Sequence, residues 1–186
     1  DNMSDKKINI RVEKYRSYTF GSLVPLDTTT LDRLIDIFEH PPVRQPEGLE
    51  GRAAPQFDSL PEAGPVVVKS FKRGGWLSYF NRERYLRTLK TRSRKEFEFL
   101  LYAAEAGVPV PAPVAFAGRG GLFYKAWLIT GAVTGAVPFV RLCLDQKDKA
   151  LALMPEISSH IRILIQQGIH HVDLHPGNII VSQDDK

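Results

Sequence analysis

One segment restricts this chain more than any other: His171-Val172-Asp173-Leu174-His175-Pro176-Gly177-Asn178, set between an apolar stretch that closes at Gly168 and the run Ile179-Ile180-Val181. Aspartate, histidine, proline and glycine all favour turns, so a plain surface turn is the simplest account. A turn does not, however, require an acid and an amide at the spacing H-x-D-L-x-x-x-N between two apolar flanks. A second account is a metal site, because His170, His171, Asp173 and His175 form a dense set of ligands. That account leaves Asn178 without a role. A third uses both residues: an acid that takes up a proton and a neutral oxygen ligand carried on one loop.

At 186 residues the chain is long enough for one domain or for two small lobes sharing a cleft. Apolar residues at 43% and charged residues at 25% are ordinary for a soluble globular protein. The net charge of +4 suits an anionic partner such as a nucleotide, a phosphorylated glycan or a membrane surface, without choosing among them. Cys143 stands alone and cannot form an internal disulfide, which favours a reducing compartment. There is no run of about 18 apolar residues of the kind that spans a bilayer. The first residues, Asp1 to Lys7, are polar rather than signal-like.

The alternation Ile8, Ile10, Val12 predicts a strand. Thr28-Thr29-Thr30 can cap a helix bearing Leu31, Leu34, Ile35 and Phe38 on one face, ended by Pro41-Pro42. Arg44 to Pro65 reads as loop with two short strands, and Val66-Val67-Val68-Lys69 as a buried strand. After Arg73-Gly74-Gly75 comes a basic helical segment from Tyr79 to about Leu89. A second helix is expected from Ser93 to Ala106, its inner face formed by Phe97, Leu100, Leu101 and Ala104, with Gly107 as its C-terminal cap. The prolines of Val108 to Pro113 require extended chain. Leu122-Phe123-Tyr124 and Trp127-Leu128-Ile129-Thr130 read as a hairpin, and Gly131 to Gly135 as a hinge. Leu151, Met154, Ile157, Ile161 and Leu164 predict one long helix from about Asp145 to Gln167, interrupted awkwardly by Pro155 and stopped by Gly168.

Strands with one helix, then a hinge, then helix, is the plan of a protein-kinase-like two-lobed fold. The loop at 171–178 resembles a protein-kinase catalytic loop, and its residue types suit phosphoryl transfer. A hydroxyl aligned on a γ-phosphate would give its proton to Asp173, and Asn178 would offer oxygen to the divalent metal that offsets phosphate charge. His171 would brace the loop. Such a site also needs a strand lysine for the phosphates and a helix glutamate to orient it. Lys69 fits the first role. Glu96 fits the second, with Glu98 as the alternative. Gly48 and Gly51, upstream of Lys69, would free backbone amides to cradle phosphate, although no full G-x-G-x-x-G is present.

Several further segments carry a closer resemblance. Phe71-Lys72-Arg73-Gly74-Gly75-Trp76, Tyr85-Leu86, Thr91-Arg92-Ser93-Arg94-Lys95-Glu96-Phe97-Glu98 and Gly107-Val108-Pro109-Val110-Pro111-Ala112-Pro113-Val114-Ala115 follow one another in order. From about Lys69 to Val181 the chain resembles the lipopolysaccharide kinase family that acts on 3-deoxy-D-manno-octulosonic acid (Kdo). The resemblance implies an α+β fold: an N-lobe (1–130) of antiparallel sheet plus helix, a hinge (131–136) and a truncated, mainly helical C-lobe (137–186). It implies ATP with Mg2+, and transfer of phosphate to a Kdo hydroxyl on the lipid A inner core at the cytoplasmic face of the inner membrane of a Gram-negative bacterium. Carried over by motif, Lys69, Glu96, Gly48 and Gly51 serve the nucleotide, Asp173 is the base, Asn178 the metal ligand and His171 the brace. The basic residues Arg82, Arg84, Arg87, Lys90, Arg92, Arg94 and Lys95 would face an anionic membrane or lipid A; no nucleic-acid partner is expected.

Two departures stand out. Leu174-His175-Pro176-Gly177-Asn178 replaces the Leu-Asn-Ala-His-Asn expected in this family and is similar to the loop of aminoglycoside and choline kinases. The Asp-Phe-type metal ligand on the next strand has no match, because Asp184 and Asp185 read as a turn. The expectation is thus a kinase whose chain, as it stands, is cut short and inactive by itself. The alternatives are another small-molecule or protein phosphotransferase, or a non-catalytic kinase-like module.

Overall fold

The computed structural model describes residues 8–41, 55–72, 91–120, 125–169 and 174–182. The chain divides into two compact units. One comprises Ile8–Glu98 with Ala112–Ala132; the other comprises Phe99–Pro111 with Val133–Lys186, together with Asp1–Lys7. The architecture is α+β, as the sequence leads one to expect.

The first unit is built on a six-stranded antiparallel sheet in the order β1-β2-β5-β6-β4-β3. Its strands are β1 (Arg11–Tyr15), β2 (Tyr18–Ser22), β3 (Gln56–Leu60), β4 (Gly64–Lys72), β5 (Pro113–Arg119) and β6 (Lys125–Gly131). Helix α1 (Thr28–Glu39) buries Leu31, Leu34, Ile35 and Phe38 against one face, where Phe20, Val66, Val68, Ala115, Trp127 and Ile129 complete the core. Phe38 stacks on Trp127 with ring centroids 4.3 Å apart and planes 15° from parallel. Two polar links fix the helix across the sheet. Arg33 grips Asp58 of β3 with Nη2 at 2.8 and 3.0 Å from its two oxygens. Arg119 of β5 donates to the Tyr18 hydroxyl at 3.0 Å and to Glu39 at 3.1 Å.

The other face of the sheet receives the first turns of α2 (Arg92–Glu105). Phe97 is fully buried and meets Phe116 edge-on at 5.4 Å. The buried Ser93 hydroxyl donates to the Ala117 carbonyl at 3.3 Å. Ala126 to Thr130 of β6 are buried without interruption, since helices cover both of its faces; this explains the unbroken apolar run there.

The second unit contains the last turns of α2, then α3 (Phe139–Asp145) and α4 (Lys147–Gln166), and a two-stranded ladder of β7 (Val137–Pro138) with β8 (Ile180–Val181). Helices α2 and α4 end alike. Gly107 and Gly168 adopt φ of 80° and 67°. Val108 N–H bonds back to Ala103 O at 2.9 Å, and Ile169 N–H to Leu164 O at 2.9 Å. This is the six-residue closure that a glycine at positive φ permits. Ala103, Val108, Leu164 and Ile169 then share one apolar cluster, so the two capped ends pack together.

The structure moves several expected features. The first strand begins at Arg11, and Val12 is 50% exposed on that edge strand. The cap of α1 is Asp27, whose carboxylate accepts the Thr30 N–H at 2.6 Å, in place of the threonines. The hairpin partner of β6 is Pro113–Arg119, while 122–124 lie outside the described residues. On α2 the buried alanine is Ala103 and Ala104 is exposed, because the helix end turns its contacts toward Leu164. A short helix that the sequence did not announce, α3, ends at Gln146, where φ is −142°; the long helix follows it as expected, as α4 from Lys147 to Gln166. Its inward stripe is Ala150, Leu153, Ile157 and Leu164; Leu151 and Met154 are 58% and 44% exposed. Pro155 sits within α4 on the exposed side, where the carbonyl it leaves without an N–H partner can meet water. The basic segment Tyr79–Leu89 lies outside the described residues.

Candidate active site

The residues singled out from sequence fall into three sets. Asp173, His171, Gly48 and Gly51 lie outside the described residues. Lys69 and Glu96 belong to the sheet unit, and Asn178 to the helical unit.

Lys69 follows the buried Val66 and Val68 on β4 and is exposed. Its cross-strand partner on β6 is Leu128, which in turn faces Phe116 of β5. Side chains directly opposite each other in an antiparallel ladder share a face, so Lys69 stands on the α2 side of the sheet. Val66 and Val68, which alternate with it along the strand, point into the α1 core and fix this choice. Glu96 precedes the buried Phe97 and is half-buried on the border of the packed face of α2. The start of the helix is set by Thr91, whose hydroxyl accepts the Arg94 N–H at 3.3 Å. The strand lysine and the helix glutamate thus occupy the same side of one sheet.

No ion pair joins Lys69 to Glu96 among the described residues. Glu96 is bound to Arg92, with Nε to Oε1 at 3.0 Å. The Arg92 guanidinium also lies 5.1 Å from the centre of the Phe71 ring, on the same strand and face as Lys69. Glu98, the alternative, is bound to Arg94 at 3.0 Å. Neither arginine partner was visible from sequence, although the i,i+4 spacing of Arg92 with Glu96 and of Arg94 with Glu98 is the signal that could have found them.

Asn178 closes a short 3₁₀ turn, Pro176–Asn178. His175 caps it: the ring Nδ1 accepts the Gly177 N–H at 3.0 Å, and the His175 carbonyl accepts the Asn178 N–H at 2.8 Å. Downstream, the Ile179 carbonyl accepts the Phe139 N–H at 2.8 Å, and Ile179 and Val181 pack against Phe139, Leu142, Ala150 and Ile157. The turn therefore rests on the α3–α4 core, with Asn178 itself exposed. Upstream, the capped end of α4 delivers Ile169 into the cluster with Ala103 and Val108 immediately before the loop.

Among the described residues no three His, Cys, Asp or Glu side chains gather as a metal site. The amide oxygen of Asn178 is neutral and hard, a donor type that fits a divalent ion held mainly by phosphates rather than by a protein cage. His175 has already committed Nδ1 to Gly177. Among the described residues no helix is long and apolar enough to cross a membrane.

The lipopolysaccharide kinase (Kdo/WaaP) family matches residues 42–186, and the chain belongs to that family. Among its relatives is a protein named 3-deoxy-D-manno-octulosonic acid kinase from Vibrio vulnificus (strain CMCP6), 32% identical over 134 residues, covering 70% of this chain and 56% of the relative. Proteins of the same name from Vibrio cholerae serotype O1 (strain ATCC 39315 / El Tor Inaba N16961) and Xylella fastidiosa (strain M23) are 31% and 30% identical over 139 and 123 residues. The chain spans about half the length of these relatives. No solved structure matches it. Strands β1 and β2 and helix α1 precede the stretch that the family matches.

Proposed function

We propose that this protein is an ATP-dependent kinase that phosphorylates a Kdo hydroxyl of the lipid A–Kdo inner core, working at the cytoplasmic face of the inner membrane. The observation that carries the reading is family membership over a stretch containing Lys69, Glu96, Asp173 and Asn178 in order. Relatives of this chain carry the name of that activity.

In this reading Lys69 binds the α- and β-phosphates from its exposed place on β4, and Glu96 exchanges Arg92 for Lys69 when nucleotide arrives. Gly48 and Gly51 contribute backbone amides to the phosphates. Asp173 takes the proton of the acceptor hydroxyl as that oxygen bonds to the γ-phosphorus. The bond from the γ-phosphorus to its bridging oxygen breaks, and ADP leaves with the electron pair. Asn178 is the residue on this loop that would hold Mg2+, which when bound offsets phosphate charge. His171 braces the loop backbone.

The test is to incubate the purified full-length protein with Mg-ATP and a Kdo-bearing lipid A and to weigh the acceptor. One added phosphate, absent with Asp173→Ala while nucleotide still binds, is the expected result. No added phosphate with wild-type protein that binds ATP would overturn the acceptor assignment. Equal loss of binding and transfer in Asp173→Ala would remove Asp173 as the base.

A further inference from the structure

The turn that carries Asn178 is anchored on two sides by unlike means. On its C-terminal side Ile179 and Val181 are held by packing and by the ladder with Val137 and Pro138. On its N-terminal side Leu174 is 44% exposed, and His175 holds the turn twice, its carbonyl taking the Asn178 N–H and its ring the Gly177 N–H. A backbone N–H only donates, so Nδ1 of His175 is the acceptor and the ring proton resides on Nε2. Proline at the first turn position has no N–H to satisfy and has its φ already fixed. The ring also determines what residue can follow. A Cβ on Gly177 would come within 2.8 Å of Cε1 and 3.0 Å of Nδ1 of His175, so the ring would have to shift from the position that holds its hydrogen bond. Ring and glycine are a matched pair.

We propose that His175 is a positioning residue. Its ring, seated over Gly177, locks the turn that presents Asn178, and Gly177 is present to admit the ring. The consequence for phosphate transfer rests on the reading of Asn178 given above; the lock itself does not. Residues that orient metal ligands without touching the metal typically change metal affinity by about 10–100-fold when removed. That sets the size of the effect to look for.

Four variants of the full-length protein separate the alternatives: His175→Leu (comparable bulk, no acceptor), His175→Asn (acceptor kept, ring removed), Gly177→Ala, and His175→Asn with Gly177→Ala. Circular dichroism confirms that each is folded. The first readouts are ¹⁵N chemical shifts of His175 and hydrogen exchange at the Gly177 amide. The wild type should show the Nε2–H tautomer and a protected amide. Protection should fall at least tenfold in His175→Leu and be retained in His175→Asn. The second readout is the Mg2+ concentration for half-maximal rate, which should rise about tenfold or more in His175→Leu and in Gly177→Ala. It should stay within about threefold of wild type in His175→Asn and in the double variant, where no ring remains to meet the new methyl. An Nδ1–H tautomer, or equal amide protection in wild type and His175→Leu, would overturn the lock. A protected amide with unaltered Mg2+ dependence would overturn the positioning role. If no acceptor is phosphorylated by the wild type, the function proposed above fails, while the tautomer and exchange results still decide the lock.

Discussion

Replacing Gly21 by alanine tests how the sheet supports α2. Gly21 lies on β2 directly opposite Phe116 of β5. A Cβ there would overlap Cζ and Cε1 of the Phe116 ring and come within 2.8 Å of Cε2, where real Cβ atoms keep 3.0 Å or more. The ring has little room to withdraw, because the fully buried Phe97 meets it edge-on at 5.4 Å and the Arg94 guanidinium lies 5.9 Å from its centre. Overfilling a packed core of this kind costs about 1–3 kcal/mol, and the boxed-in ring places this case near the upper end. Against that, alanine restricts the unfolded chain and returns roughly 0.4–1 kcal/mol. The expected net loss is about 1.5–2.5 kcal/mol. Phe116→Leu removes the atoms in the way, so in that background Gly21→Ala should be neutral or stabilising, a coupling of roughly 2 kcal/mol between residues in contact. Urea unfolding gives the totals. Because the chain has two compact units, hydrogen exchange at β2 and β5 amides should accompany it to assign the loss to the sheet. An equal cost of Gly21→Ala in both backgrounds would falsify the steric argument.

Three further outcomes follow from the geometry. Asp27 is held below the ordinary carboxylate value by the Thr30 N–H; burial alone would raise Asp58, but bonds from Arg33 and the Ser59 N–H outweigh it and lower it too. Folded pKa values below 3.8 mean that the folded state binds fewer protons, so this stability is present above about pH 4 and is lost as pH falls further; Asp58→Asn should flatten the melting temperature against pH below 4, and an unchanged slope would refute the assignment. Arg92→Ala should change ATP affinity by no more than about twofold, since an exposed i,i+4 pair is worth about 0.3–0.5 kcal/mol; a tenfold loss would mean that Arg92 itself binds phosphate. Lys69→Ala should weaken ATP binding or slow transfer, with the exposed Lys125 replaced as a control; equal behaviour of the two would remove Lys69 from the site.

Much of the scaffold was legible because local rules and tertiary needs agreed. The spacing of Leu31, Leu34, Ile35 and Phe38 yields α1, and Gly107 and Gly168 end their helices at positive φ. What could not be read depends on partners distant in the chain. Strand β2 was missed, because Gly21 and Ser22 look like loop until Phe116 and Ala115 are placed opposite them. Ala103 and Ala104 are indistinguishable until Leu164 chooses one. Leu151 and Met154 satisfy the helical period as well as Ala150 and Leu153 do, and contact with α3 decides. At the site, the Arg92–Glu96 pair has a sequence signal in its i,i+4 spacing, but the seat of Arg92 against the Phe71 ring has none, because it depends on how strand and helix pack. A histidine cap is likewise hidden, since caps are sought among Ser, Thr, Asp and Asn.

That last point bears on what the loop sequence says about the acceptor. Leu174-His175-Pro176-Gly177-Asn178 resembles the loops of kinases for small hydroxylated molecules, and the resemblance invites a matching substrate. The geometry gives these residues another task. His175 spends Nδ1 on the Gly177 N–H, Gly177 lacks a Cβ because the ring lies there, and Pro176 has its φ set for the turn. All three are accounted for by the backbone that leads to Asn178, and none has to touch an acceptor to explain its identity. Different loop sequences can then be different ways of building one turn, each with its own cap. A loop with asparagine in place of His175 would keep a cap acceptor and free the position of Gly177 for a residue with a side chain, as His175→Asn with Gly177→Ala should show. If these residues serve the turn alone, exchanging this segment for Asn-Ala-His should leave the preferred acceptor unchanged in the mass assay. A switch of acceptor on that exchange would show that the loop reads the substrate after all.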